Sequence, residues 1–374
     1  MFHYDKLNSE LTFIQKVKKL DFVLLFSIII LSAISLVVMY STDGGEILYH
    51  TKSHFIKLVT FFLLMLVISF FNIKIWHLFS YVFYVLIIFL LIWVAFYGIK
   101  VSGSQRWMNL YFIVLQPSEL MKIAIILCLA KYYHRLKIDS VNSFTSIIIV
   151  LTIILIPVML VVSQPDLGTS ILIALSGLII LWLGGVRIKY FFYSFFTFLI
   201  TLPFIISFLK PYQKLRILTF LDPDRDPLGA GYQIIQSKIA IGSGGLEGKG
   251  FLKGTQSYLD FLPEKHTDFI FTLFSEEFGF LGSIVLLIIY SIIIIRIIRI
   301  GTISRSNFAK LFCFGYAFAI FIYIVVNLSM VLGLVPIVGS PLPIMSYGGS
   351  SMLATMIGFG IVLSAKINHK QMIA

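Results

Sequence analysis

Long apolar segments, separated by short polar breaks, follow one another from residue 20 almost to the C-terminus. Most of them approach or exceed the roughly 18 apolar residues that cross a bilayer as a helix. The pattern therefore predicts about ten membrane-spanning helices. Their expected positions are 20–40, 55–71, 77–97, 117–133, 145–163, 168–183, 190–208, 269–294, 309–332 and 350–365.

Composition agrees with this interpretation. Of the 374 residues, 59% are hydrophobic and only 12% are charged, whereas a soluble domain has roughly half and a quarter. A water-soluble core could not absorb so much apolar surface. Because no repeat or linker divides the chain, the sequence predicts one all-α polytopic membrane domain over residues 1–374.

The net charge of +12 could indicate a nucleic-acid partner, but its distribution argues against one. Most lysines and arginines lie in the short loops that an even number of spans places on the side of the N-terminus. This asymmetry follows the positive-inside rule and predicts cytoplasmic termini, including an N-terminal segment 1–19. No small-residue cleavage site follows the first span, so we expect it to be retained.

One long loop, residues 209–268, lies on the opposite, extracytoplasmic side. It contains a turn-rich stretch at 222–227 and a short helical stretch at about 232–241, and then a glycine-rich run at 242–250. The run is not a phosphate-binding P-loop, because Gly250 rather than Ser or Thr follows Lys249. We favour a flexible turn over a nest of backbone amides that binds pyrophosphate.

A polar run, Pro263 to Asp268, immediately precedes the span that begins at Phe269. A carboxylate at a membrane boundary is partly desolvated, which raises its pKa and suits it to act as a base. Asp268 could instead be only the N-cap of its helix. Lys265 and His266 favour a catalytic site, since both could donate hydrogen bonds to a phosphate beside the carboxylate.

Glu119 and Lys122 lie inside the span 117–133, three residues apart and so on one helical face. Ionisable residues within a span are expected to be functional, although a mutually satisfied structural pair is the alternative. The preceding residues add a polar cluster near the outer surface: Arg106, Trp107, Gln116 and Ser118.

Two further segments offer candidate site residues. Asp166, in the tight link 164–169, is equally explained as an N-cap and as part of a site. Ser350 follows the Pro- and Gly-rich stretch 333–349, which either lines a groove at membrane depth or only packs as a loop. Cys128 and Cys313 lie inside spans, so the sequence offers no disulfide framework and no metal-ligand spacing.

Taken together, these motifs resemble the SEDS family of bacterial cell-wall polymerases. The chain is closer to the family's elongation-type members than to its division-type members in length, N-terminal segment and spacing. The resemblance covers essentially the whole chain and rests on five motifs in order: Arg106-Trp107, 116–122, 164–169, 261–271 and 346–351.

The resemblance implies a peptidoglycan glycosyltransferase that joins lipid II units on the outer face of the bacterial cytoplasmic (inner) membrane during cell elongation and maintenance of rod shape. It also implies a class B penicillin-binding protein, a transpeptidase, and the elongation machinery as partners. Asp268 matches the family's essential outer-loop aspartate, and Glu119 and Lys122 match its buried Glu and Lys.

The chemistry of the residues agrees with that implication. Joining sugars requires a base for the acceptor hydroxyl and a cationic group for the departing pyrophosphate. Asp268 would be the base, and a single base opposite the leaving group gives inversion. Lys122, Arg106 or Lys265 could neutralise the pyrophosphate, or a divalent cation, Mg²⁺ or Mn²⁺, could do so; no cofactor is certain.

Two other functional classes remain open at this point. A flippase that moves lipid II across the membrane could use Glu119 and Lys122, but it needs polar access from both surfaces, and the ionisable residues cluster toward one. A scaffold that only recruits enzymes would not need Asp268. A polymerase specific for division is a third alternative, since the role in elongation rests on the resemblance alone.

Overall fold

The computed structural model describes residues 12–101, 104–109, 114–208, 211–226, 229–255 and 264–373. Parts of three predicted regions therefore lie outside the described residues. They are 1–11 of the N-terminal segment, 110–113 before the fourth span, and 209–210, 227–228 and 256–263 of the long loop.

Thirteen α-helices are present in the described residues, and one of them coincides with each of the ten predicted spans. They are α1 Phe13–Lys18, α2 Phe22–Thr42, α3 Tyr49–Phe70, α4 Ile73–Tyr97, α5 Pro117–Arg135, α6 Phe144–Ser163, α7 Leu167–Leu183, α8 Ile188–Phe208, α9 Pro211–Leu221, α10 Ala230–Gly244, α11 Ile270–Ile303, α12 Asn307–Val331 and α13 Gly349–Ile367.

Seven of these helices are both long and apolar enough to cross a membrane: α2, α3, α4, α6, α11, α12 and α13. Their outer faces expose large apolar side chains, as on α4, where Leu78, Val82, Phe89 and Phe96 are exposed. Such faces are stable against lipid and not against water. The chain is therefore a multi-pass, all-α membrane protein.

Helix α5 lies at the centre of the bundle. It packs against α4, α6, α7, α12 and α13, and all its residues except Tyr132, His134 and Arg135 are buried. Because protein rather than lipid surrounds it, α5 can contain four charged residues, and these keep it from meeting the apolar criterion for a span. Pro117 at its first turn suits a helix start, where the missing N–H costs nothing.

A small antiparallel sheet, absent from the sequence prediction, precedes α5. Strands β1 Ile99–Val101, β2 Ser104–Asn109 and β3 Val114–Leu115 pair in the order β1-β2-β3. Trp107 lies opposite Ile99, and Met108 lies opposite Leu115. The sheet positions Arg106 over the start of α5 and of α7.

The prediction of a flexible turn at 242–250 is wrong. Residues 242–244 end α10, and the following loop binds α11 where that helix is broken at Gly279, whose φ is 65° and ψ is −162°. The amides of Lys249 and Gly250 donate to the carbonyls of Glu276 and Glu277, each at 3.0 Å. These amides are therefore occupied, which also excludes them from a pyrophosphate nest.

Helix α10 confirms the short helix predicted near 232–241, and it packs against α11. Its Ser237 hydroxyl lies 2.7 Å from the hydroxyl of Thr272 and 2.7 Å from the carbonyl of Val331. Helix α9 was not predicted, since its residues 211–221 mix apolar and basic side chains. The long loop is therefore largely helical in its described part.

Candidate active site

The main chain of residues 266–268 is held by three hydrogen bonds from other parts of the bundle. Asn327 of α12 donates through Nδ2 to the carbonyl of Asp268 at 2.9 Å and to that of Ser340 at 2.7 Å. Ser346 donates to the carbonyl of Thr267 at 2.6 Å, and the amide of Tyr347 donates to that of His266 at 2.8 Å. The turn before α11 is thereby fixed against the segment that joins α12 to α13.

Asp268 is not the N-cap of α11, because Phe269 occupies that position. The carboxyl is only partly exposed. Its burial, together with the charges of Glu264, Asp166 and Glu119 and against that of Arg216, raises its pKa to about 7. Arg216 is held by a hydrogen bond from Nη1 to the carbonyl of Ile337, 3.2 Å long. Arg216 has no signal in the sequence, since no pattern in 211–221 singles it out.

Asp166 both caps a helix and joins the polar cluster. It is the N-cap of α7 and accepts from the amide of Thr169 at 3.2 Å. Its carboxylate also accepts from Gln116 Nε2 at 3.0 Å and lies 3.7 Å from Arg106 Nη1. The two explanations offered by the sequence are therefore compatible, because one carboxylate has enough acceptor sites for both.

Arg106 is positioned by the chain around Asp166. Its Nε donates to the carbonyl of Gln164 at 3.2 Å, and its Nη2 donates to the carbonyl of Pro165. Trp107, its neighbour on β2, is half-buried. The guanidinium therefore lies at the mouth of the α6–α7 link, with its charge beside that of Asp166.

Ser350 connects the start of α13 to the start of α5. It accepts from the amide of Gln116 at 2.9 Å and donates to the carbonyl of Val114 at 3.0 Å. The Ser118 hydroxyl is buried and has no hydrogen-bond partner within the part of the chain that the structure describes. Of these two predicted site residues, Ser350 has a structural role in packing, and Ser118 offers an unused donor at the helix start.

Glu119 and Lys122 form a buried ion pair, with Nζ 2.7 Å from Oε1. Lys122 also lies 3.9 Å from the ring centroid of Tyr323, and the hydroxyl of Tyr323 lies 3.4 Å from Glu119 Oε2. A cavity of about 30 Å³ adjoins the pair, which is room for a water molecule. Tyr323 was missed in the sequence, although it lies one helical turn before Asn327 on α12.

His266 and Lys265 take different positions from each other. The ring of His266 is directed toward the α2–α3 turn, where Nδ1 lies 3.0 Å from the Thr42 hydroxyl and the ring stacks on His50 with centroids 4.1 Å apart. Lys265 lies in the turn before α11 and is half-buried. Their predicted role as phosphate donors stays a prediction.

An apolar groove of about 450 Å³ opens between α2 and α3. Leu36, Tyr40 and Phe55 line it, and Phe251 of the glycine-rich loop closes one side. Thr51 and Lys52 are its polar residues. Thr51 lies in the first turn of α3, next to the α2–α3 turn whose Thr42 contacts His266. The groove therefore lies beside the α2–α3 turn.

The fold and site define a multi-pass membrane protein with a cluster of carboxylates and cations at one end of its helix bundle. A family model for FtsW, RodA and SpoVE, described as a cell cycle protein, matches residues 17–371. The chain therefore belongs to this family, which confirms the SEDS resemblance found in the sequence.

Relatives cover most of the chain. "Peptidoglycan glycosyltransferase MrdB" of Escherichia coli K12 is 46% identical over 290 residues, which are 77% of this chain and 78% of that protein. "Probable peptidoglycan glycosyltransferase FtsW" of Trichlorobacter lovleyi is 35% identical over 365 residues, 94% of each chain.

Solved structures share the fold. One chain, from work described as "Structural coordination of polymerization and crosslinking by a peptidoglycan synthase complex", superposes with a TM-score of 0.80 at 30% identity and covers 93% of this chain and 97% of that one. The Thermus thermophilus rod shape determining protein RodA gives a TM-score of 0.71 at 24% identity, covering 94% and 98%.

Proposed function

We propose that this protein is a peptidoglycan glycosyltransferase that polymerises lipid II into glycan strands during cell elongation. The observation that carries the proposal is the carboxyl of Asp268, which is partly buried and under the electrostatic influence of Asp166, Glu119 and Arg216. Relatives of this chain are named as such transferases. Relatives at 46% and 35% identity cover both branches of the family, and the higher identity favours the elongation branch.

In the proposed reaction, Asp268 accepts the proton of the acceptor hydroxyl as its oxygen attacks the anomeric carbon of the donor. The new C–O bond forms while the bond from that carbon to the pyrophosphate oxygen breaks. Attack opposite the leaving group inverts the anomeric centre, so an α-linked donor gives a β-linked strand. Pyrophosphate leaves well without a second carboxylic acid.

Cationic groups would stabilise the charge that develops on the departing pyrophosphate. Arg106 and Lys122 are the candidates in the polar cluster, and Lys265 is the candidate in the turn before α11. Arg106 is held by three contacts around the α6–α7 link, which suits a fixed charge. Lys122 is paired with Glu119 and would act through or alongside that carboxylate.

The apolar groove between α2 and α3 would hold a polyprenyl tail. Its side chains are almost all apolar, and it opens to the lipid-facing surface. The substrate would then enter sideways from the bilayer, with only its sugars at the polar end of the bundle. The basic loops would face the cytoplasm with both termini, which would place Asp268 on the extracytoplasmic side.

A class B penicillin-binding protein would bind this chain and crosslink the new strand. The similar chain described with polymerisation and crosslinking comes from a peptidoglycan synthase complex. The elongation machinery would be the wider setting of that complex.

Purified protein with lipid II tests the proposal. We expect the parental chain to form glycan strands, and Asp268→Asn to lower the rate roughly a hundredfold or more, since it removes the proton acceptor without changing shape. Asp224→Asn, in an exposed turn of the same outer segment, is the matched control and should retain activity.

The outcomes separate the three functional classes. Membrane insertion and partner binding should be unchanged in Asp268→Asn. Polymerisation at the parental rate by that variant would disprove the role of Asp268 as the base. Transport of lipid II across vesicles without polymer would indicate a flippase, and neither activity would indicate a scaffold.

A further inference from the structure

Three side chains from distant parts of the sequence converge beside the α2–α3 turn. Asp43 follows α2, His50 lies in the first turn of α3, and His266 lies in the turn before α11. One potential ligand atom from each lies within 4.8 Å of the other two. None of the three has a place in the mechanism proposed above, and the ring of His266 is directed toward this cluster.

Each of these side chains is held by a neighbour. Asp43 Oδ2 accepts from the amide of Thr51 at 2.9 Å and from its hydroxyl at 2.7 Å, while Oδ1 lies 3.4 Å from His50 Nδ1. The rings of His50 and His266 stack 14° from parallel. Thr42 contacts His266 at 3.0 Å. Partners of this kind orient the ligands of metal sites.

The residue types and spacing fit one class of cation. Ligand atoms bound to one ion at about 2.1 Å lie roughly 3 to 4 Å apart, close to the spacing seen here. An imidazole nitrogen binds an ion in the plane of its ring, so one of the two stacked rings must turn out of the stack when the ion binds. Two imidazoles and one carboxylate suit Mn²⁺, Fe²⁺, Co²⁺ or Zn²⁺, whereas Mg²⁺ prefers oxygen ligands only. We infer that Asp43, His50 and His266 bind a divalent first-row transition-metal ion.

Bound there, the ion links three segments of the chain. It would fasten the turn that contains His266, and two residues later Asp268, to the α2–α3 turn. The side chain of Asp43 is 3% exposed and that of His50 is 40% exposed. The ion would therefore have one buried ligand and one ligand that solvent can reach. Cation binding does not depend on the proposed function, but its effect on polymerisation does.

Binding of Mn²⁺ alone to the purified full chain, followed by electron paramagnetic resonance, tests the inference. We expect one ion per chain, with at least tenfold weaker binding in His50→Phe and in His266→Phe. Each replacement keeps an aromatic ring in the stack and removes the nitrogen ligand. Asp43→Asn, which keeps the acceptor for Thr51, supplies a third variant if a histidine variant fails to fold.

Two further variants sharpen the result. Thr51→Val removes a hydroxyl that orients Asp43 and should weaken binding about ten- to a hundredfold. His369→Phe, beyond the opposite end of α13, is the control and should bind as the parent does. Mg²⁺ in tenfold excess should leave Mn²⁺ in place, because nitrogen ligands disfavour it.

Several outcomes would overturn the inference. They are no uptake of Mn²⁺ at millimolar concentration, unchanged binding in folded His50→Phe, and displacement by Mg²⁺ in tenfold excess; the first would leave the two histidines as an aromatic stack only. Failure of lipid II polymerisation, together with Mn²⁺ binding that depends on His50, would refute the proposed function and leave the cation site standing.

Discussion

Glu119 and Lys122 are joined by a 2.7 Å contact inside the helix that protein surrounds most completely. Both side chains also contact Tyr323: Lys122 lies over its ring face, and Glu119 lies near its hydroxyl. At this residue scale the pair has two explanations: mutual neutralisation of buried charges, or a role in binding sugar or pyrophosphate. The two explanations differ in what happens when both charges are removed.

Removing Lys122 alone, as Lys122→Met, should impair activity on either explanation. Glu119 would be left unpaired at low dielectric, which costs about 3–5 kcal/mol or forces it to take up a proton. The double variant Glu119→Gln/Lys122→Met removes the unpaired charge. We expect no recovery of lipid II polymerisation by the folded double variant, because the pair adjoins the cluster around Asp166 and Asp268.

A second, partly buried pair gives the control. Asp21 and Arg296 form a two-contact ion pair, 2.6 and 3.1 Å long, near the start of α2. Asp21→Asn/Arg296→Met should polymerise lipid II at close to the parental rate. Near-parental polymerisation by Glu119→Gln/Lys122→Met as well would show that the first pair is purely structural.

Residue types inside apolar segments were the part of the site that could be predicted. Glu119 and Lys122 stand out because charge inside a span is costly, and Asp268 stands out because it immediately precedes a span. Asn327 carried a similar signal, as a polar amide within a span, but nothing else in the sequence singled it out. The cluster of Asp43, His50 and His266 has no sequence signal, because its members are brought together only by the fold.

At the scale of elements, α11 is broken at Gly279 so that the glycine-rich loop can lie against it. Phe280 and Leu281 donate their amides to the carbonyls of Gly245 and Leu246, at 3.0 and 3.1 Å. A Cβ at Gly279 would lie 2.3 Å from the amide nitrogen of Gly248. The loop and the helix therefore approach as closely as bare backbones allow.

Gly279→Ala should destabilise the protein by about 1–3 kcal/mol from backbone strain alone, with the steric overlap added. The measurement is the unfolding temperature of detergent-purified protein. Gly242→Ala is the matched control, since nothing lies within 4 Å of its added methyl group and alanine favours a helix. Equal unfolding temperatures for the two variants would refute the packing role of Gly279.

Apart from α10, elements shorter or less regular than a span were not predicted from the sequence. The strands of the small sheet have three, six and two residues, too few for alternation of apolar and polar positions to be recognised. The glycine-rich loop was misjudged for a related reason. Glycine is typical both of mobile turns and of close backbone approach, and only the partner at Gly279 distinguishes them.

At the scale of the whole molecule, hydropathy predicts the helices because the side chains that face lipid must be apolar. It does not predict which helix is central. Helix α5 contains Glu119 and Lys122 and is enclosed by five neighbours, so the most polar of the predicted spans organises the bundle. The order of helices around it depends on packing, which apolar periodicity does not encode.

The two ends of the bundle differ in charge, and this difference predicts orientation. At one end Lys16 donates to the carbonyl of Phe70, and the amide of Arg305 donates to that of His369, at 3.0 and 2.9 Å. These contacts place basic loops and the C-terminal segment at the same end of the bundle. Asp166 and Asp268 lie at the other end. By the positive-inside rule, the basic end should face the cytoplasm.

Cysteine labelling of intact cells tests this orientation independently of the family. Thr255→Cys should react with a membrane-impermeant maleimide from outside, and Ile303→Cys only after the membrane is permeabilised. Both positions are exposed, and the natural Cys128 and Cys313 are buried, so background labelling should be low. The reverse pattern would place Asp268 on the cytoplasmic side, where a strand-forming base could not build an extracellular polymer.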